Sequence, residues 1–107
     1  MTYLLLAGAI VLEVMGTISL RLSDGFSRPA PAVLVVIGYL SAVVLLAQVL
    51  ARDLPVGVAY AIWAGAGVAL VALIGAAFLG DTLSWVQVGG VVLVVAGVAA
   101  LELGRPQ

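Results

Sequence analysis

The chain has 107 residues, of which 65% are hydrophobic and 8% charged, with a formal net charge of −1. A soluble domain this small keeps a large share of its surface in water and typically carries about a quarter charged residues, so a soluble fold is excluded and lipid must solvate most of this surface. The charge balance gives nucleic acid nothing to bind, and a chain without Cys or His has no disulfides, no thiolate chemistry, no common zinc site and no imidazole base.

A membrane-spanning helix needs about 20 mostly apolar residues to cross about 30 Å of hydrocarbon. Four stretches qualify. The first runs from Tyr3 to Leu22 and ends in the charged, turn-rich run Arg21, Ser23, Asp24, Gly25, Phe26, Ser27, Arg28, Pro29. It lacks the basic leader of a secretory signal and continues through Glu13, so it is expected to remain as a mature helix. The second runs from Ala30 to Leu50 and stops at Arg52–Asp53. The third opens at Pro55, a residue suited to a first helical turn, and continues to Leu79. Gly80–Asp81–Thr82 breaks it, and the fourth runs from Ser84 to Leu103. The expected fold is an all-α membrane protein, one four-helix domain over residues 1–107, with loops short enough to set neighbouring helices antiparallel. A bundle this thin leaves little room for a solvated pathway, so an oligomer is expected.

Orientation in the membrane follows Lys and Arg in the loops. Arg21 and Arg28 flank the first loop; Arg52 and Arg105 lie on the opposite side. With the basic residues divided evenly, insertion in both orientations is expected, which permits an antiparallel homodimer. A single orientation set by other features is the alternative.

Glu13 is the one ionisable side chain deep within a span. It lies about 15 Å along the helix from Tyr3, at 1.5 Å per residue, near the bilayer midplane. A carboxylate at that depth costs at least about 2.5 kcal/mol and usually faces a bundle interior or a transport path. No Lys, Arg or His lies at comparable depth. Glu13 is therefore either protonated and neutral, or ionised and paired with a cation from outside, and a group that chooses between the two can exchange them. The competing reading is a neutral carboxyl whose hydrogen bond to a neighbouring helix only aids assembly. Ala9, Gly16 and Thr17 share its helix face. The small ones leave space for a pocket wall, which Ile10 would complete, or they allow close helix packing.

The first helix reads Glu13–Val14–Met15–Gly16–Thr17, and the first loop Ser23–Asp24–Gly25–Phe26–Ser27–Arg28, followed by Pro31. The third helix opens Pro55–Val56–Gly57–Val58–Ala59–Tyr60–Ala61–Ile62–Trp63, then Ala64–Gly65–Ala66–Gly67. The fourth carries Gly89–Gly90 and Val95–Ala96–Gly97–Val98. In order and spacing, over essentially the whole chain, these resemble the small multidrug resistance family of bacterial exporters. The resemblance implies an antiparallel homodimer in the bacterial cytoplasmic membrane that exchanges protons for hydrophobic cations by alternating access, with no cofactor. It implies Glu13 as the shared proton and substrate site, Tyr39, Tyr60 and Trp63 as lining of the binding chamber, Gly65 and Gly67 as a third-helix hinge, and Gly90 and Gly97 on a fourth-helix dimer contact.

The residues agree to different degrees. Aromatic faces attract cations, and Tyr60 and Trp63, three apart, share a helix face well inside the third span; aromatics of the membrane-interface belt are the alternative. Trp85, at the start of the fourth span, suits the belt. Tyr39 sits mid-span, where its hydroxyl needs a partner. Gly65–Ala66–Gly67 weakens its helix and fits either a bend or a packing notch. Gly90 and Gly97, seven apart, fit close helix contact. Glu102, at the end of the fourth span, suits the headgroup level and no transport role.

Within the family, guanidinium exporters typically carry Trp at the position of Gly16. Gly16–Thr17 is similar to the branch that exports drugs and quaternary ammonium compounds, where Gly leaves volume for bulky substituents. Ala42 stands where many relatives have serine, so a hydrogen bond to the carboxylate is expected to be missing. Val43 stands where an aromatic often sits, and Arg21 replaces a common lysine. A small-cation or osmolyte exporter of the same family is the nearest alternative. A structural or regulatory subunit is the alternative from another class. A passive channel would need a continuous polar path that Glu13, Thr17, Ser19, Tyr39, Ser41, Gln48 and Tyr60 are too few to line. An enzyme would need a nucleophile–base or metal constellation, and none is present.

Overall fold

A computed structural model describes residues 1–52 and 54–104. Asp53 and Arg105, counted above in the second loop and the tail, lie outside the described residues. Four α-helices follow one another: α1 (Thr2–Leu22), α2 (Pro29–Leu50), α3 (Val56–Phe78) and α4 (Trp85–Leu103). They have 21, 22, 23 and 19 residues, or about 29 to 35 Å at 1.5 Å per residue, and all four are long and apolar enough to cross a membrane. Among the described residues there is no strand. Leu4, Leu93 and Phe78 are 71%, 74% and 81% exposed, the pattern of helices whose backbone polar groups are satisfied internally while their side chains meet lipid.

Helix boundaries depart from expectation by one residue. Pro29 rather than Ala30 begins α2, because proline's fixed φ suits the first helical position. Pro55 is extended (φ −60°, ψ 145°) and stands just before α3. Ser84 caps α4: its Oγ accepts from Gln87 N at 3.2 Å, and its own N donates to Gln87 Oε1 at 2.9 Å. This reciprocal box satisfies two of the donors a helix start leaves open.

The chain divides into two compact units, residues 1–53 and 54–107. In the first, α1 packs on α2 through a turn built on Ser23, whose side chain is fully buried. Ser23 Oγ donates to Leu20 O at 2.7 Å and accepts from Phe26 N at 3.1 Å, and Arg28 N donates to Ser23 O at 3.0 Å. Asp24, Gly25 and Phe26 all have positive φ (49°, 70° and 68°). For the two non-glycine residues this left-handed backbone costs about 1–2 kcal/mol each, which the hydrogen bonds centred on Ser23 help offset. Buried residues of this unit include Leu6, Ala9, Val14, Val35, Ala42 and Val49.

In the second unit α3 packs on α4. Gly80, at φ 78°, turns the chain so that Asp81 N donates to Gly75 O at 3.1 Å. No residue of α4 is buried.

Candidate functional site

Glu13 lies close to the middle of α1 and Tyr39 close to the middle of α2. Between them stands Thr17, one turn beyond Glu13. Its Oγ1 donates to Glu13 Oε1 at 3.1 Å and lies 2.7 Å from the hydroxyl of Tyr39. A hydroxyl carries one proton. When Thr17 spends it on the carboxylate, Tyr39 must donate to Thr17, and the chain of bonds runs Tyr39 to Thr17 to Glu13. All three residues are partly buried. Among the described residues no basic side chain is found paired with Glu13, and its carboxylate is held by the neutral hydroxyl of Thr17.

The backbone of α1 makes room for this arrangement. A Cβ at Gly16 would lie 2.8 Å from Cδ1 and 2.9 Å from Cε1 of Tyr39, closer than real carbon contacts allow. The volume expected above Gly16 for a substrate is taken here by the ring of Tyr39. Gly16 is itself buried, as are Ala9 and Ile10, so the three small or apolar positions expected as pocket wall form packed surface in this unit, and Thr17 alone of the four turns a polar group to Glu13. Ala42, where a serine would stand in many relatives, is fully buried. The carboxylate receives its hydrogen bond from Thr17 instead. Val43 is exposed.

In the second unit Tyr60 and Trp63 come together one turn apart, with ring centroids 5.8 Å from each other and planes tilted by 52°. Tyr60 is 58% exposed, while Trp63 Nε1 is buried and has no hydrogen-bond partner among the described residues. Tilted pairs of this kind are favourable aromatic contacts and leave ring faces open to a cation. Trp85, at the first position of α4, is 89% exposed.

Gly65 and Gly67 lie within the continuous helix α3. A Cβ at Gly65 would stand 2.6 Å from Val98 Cγ2 and 3.2 Å from Val94 Cγ1. Gly65 thus gives α4 its close approach to α3. Gly90 and Gly97 have nothing within 4 Å of a would-be Cβ.

Gly38 was not singled out by the sequence reading. A Cβ there would lie 2.9 Å from Leu12 O and 3.1 Å from both Cα and N of Gly16, which marks a close approach of α2 to the backbone of α1. The available signal was a glycine inside a span, immediately before a mid-membrane tyrosine, since glycine inside a helix is unfavourable and asks for a packing reason.

A family model described as Small Multidrug Resistance protein matches residues 1–94. Among curated relatives, Multidrug resistance protein mmr of Mycolicibacterium paratuberculosis is 44% identical, with 96% of each chain covered. Multidrug transporter EmrE of Escherichia coli is 43% identical over 94% of this chain and 91% of its own. Quaternary ammonium compound-resistance protein QacF of Klebsiella aerogenes is 45% identical over the same shares, 94% and 91%.

Proposed function

The chain belongs to the small multidrug resistance family, and from that premise we propose that it is a proton-coupled antiporter exporting lipophilic cations, quaternary ammonium compounds among them, by alternating access. It is a multi-pass protein of the bacterial cytoplasmic membrane, and a transporter rather than an enzyme. Support for the substrate class comes from the names of relatives that align over nearly the whole chain, one a multidrug transporter and one a quaternary ammonium compound-resistance protein.

The observation that carries the mechanism is the mid-helix carboxylate of Glu13, bonded among the described residues to a neutral hydroxyl. A proton or a cation can neutralise it, and occupancy by one excludes the other. Outward movement of cation is thereby tied to inward movement of protons. Tyr60 and Trp63 supply aromatic faces that attract a desolvated cation, and Tyr39 joins the site through Thr17. In the working unit two copies associate antiparallel, in keeping with the even division of arginines between the two sides. Gly90 and Gly97 on the open surface of α4 form the contact between copies. Gly65 and Gly67 are the points at which α3 bends as the copies exchange conformations.

The reading is tested by transport currents from purified protein in liposomes, challenged separately with guanidinium and a bulky quaternary ammonium ion. Current with the bulky ion that vanishes in Glu13→Gln is expected. Current with guanidinium alone would transfer the chain to the small-cation branch. Glu13→Gln that transports as well as the wild type would remove Glu13 from the mechanism and favour an assembly role.

A further inference from the structure

The contact of Gly38 with α1 is made to backbone, namely Leu12 O and the Cα and N of Gly16. Backbone atoms cannot rotate aside as the end of a side chain can. Any side chain at position 38 must therefore push α2 off α1 or turn one helix against the other. The residue that follows is Tyr39, whose ring lies on Gly16 and whose hydroxyl lies 2.7 Å from Thr17 Oγ1. That distance is near the optimum for an O–H···O bond, which weakens as the oxygens move apart. A separation of a few tenths of an ångström at Gly38 takes the pair off that optimum.

We propose that Gly38 is a positioning residue for the Glu13 site: by letting α1 and α2 touch backbone to backbone, it holds the Tyr39 hydroxyl on Thr17 and so keeps the Thr17 proton directed at the carboxylate. Gly16 and Gly38 act as a pair, one clearing space for the ring and the other setting the helix separation. The bond from Thr17 fixes one carboxylate oxygen of Glu13 in place. In this scheme the influence of Gly38 on Glu13 passes through Tyr39 and Thr17. The inference rests on the reading of Glu13 as the cation site.

The test is binding of tetraphenylphosphonium to the purified full-length protein, measured by titration calorimetry at alkaline and at acid pH. Gly38→Ala is expected to weaken binding at alkaline pH by about two- to tenfold, the range of one hydrogen bond, with a smaller deficit at acid pH. In a Tyr39→Phe background Gly38→Ala is expected to have no further effect, because the hydroxyl it positions is already gone. No loss in the single variant, or the full loss repeated in the Tyr39→Phe background, would overturn the proposal and leave Gly38 as plain packing. Should Gly38→Ala not assemble, Thr17→Val leaves the helix contact intact; its loss must not grow on adding Tyr39→Phe, and additive losses overturn the proposal. Glu13→Gln separates the two levels. If it binds tetraphenylphosphonium as the wild type does, the Glu13 reading and this inference fall together. If it does not bind while the other variants are additive, only the inference falls.

Discussion

Gly16 on α1 lies directly beneath the ring of Tyr39 on α2, so close that a methyl group at position 16 would stand 2.8 Å from Cδ1 of the ring. The two residues form one unit: the ring is seated where the helix has no side chain, and its hydroxyl then reaches Thr17. Gly16→Ala is expected to displace the ring and break that bond, with about 1–3 kcal/mol of destabilisation from overpacking and a several-fold loss of cation affinity. Thermal unfolding in detergent and cation titration measure the two effects. Unchanged affinity with reduced stability would confine Gly16 to packing.

Gly65 poses a different question, since it faces Val98 across the α3–α4 contact and was also expected to be a hinge. Gly65→Ala drives a methyl to 2.6 Å from Val98 Cγ2, which should destabilise by about 1–3 kcal/mol. Val98→Ala removes the obstructing methyl and is expected to restore stability in the double variant. Transport measured on that double variant decides the role. Recovery of transport with stability means that Gly65 matters as a notch; stability without transport means that α3 needs the glycine's backbone freedom.

The surface of α4 makes a prediction about association. A side chain at Gly97 meets nothing within 4 Å in its own chain, so Gly97→Leu should leave the fold of the single chain undisturbed. Small residues allow helices to approach closely in lipid, and leucine at such a position should separate them. Single-molecule subunit counting in bilayers is expected to show fewer dimers with Gly97→Leu and unchanged helical content. Full dimer formation would place the contact elsewhere.

Competition between proton and cation for Glu13 has a definite sign. Acidification fills the carboxylate with a proton and removes its charge, so affinity for a lipophilic cation should fall as the pH is lowered. Raising the cation concentration should in turn displace protons, detectable as acid release into weakly buffered solution. In Glu13→Gln both effects should disappear. A pH dependence of equal strength in that variant would mean that some other group carries the exchange.

Much of this protein can be read along the chain because lipid acts on each segment separately. Every spanning segment must satisfy its own backbone, so length and hydropathy were enough to place four helices within a residue or so, and the absence of a basic side chain near Glu13 was enough to single it out as the candidate for an exchange role. Thr17 was also legible, since its contact with Glu13 is one helical turn within α1 and follows from the helix repeat. Tyr39 was legible only as a mid-span hydroxyl in need of a partner. That partner is Thr17, 22 residues earlier, and the pairing depends on how α2 crosses α1. Gly38 was not legible at all, because its meaning lies in the backbone of another helix. Sequence determined which segments cross the membrane and which ionisable group lies deep within one of them, since both are local questions of solvation. The meeting of Gly16, Gly38 and Tyr39 belongs to tertiary structure alone: it is a matter of separations of a few tenths of an ångström between two helices, and no periodicity along one helix records the distance to the next.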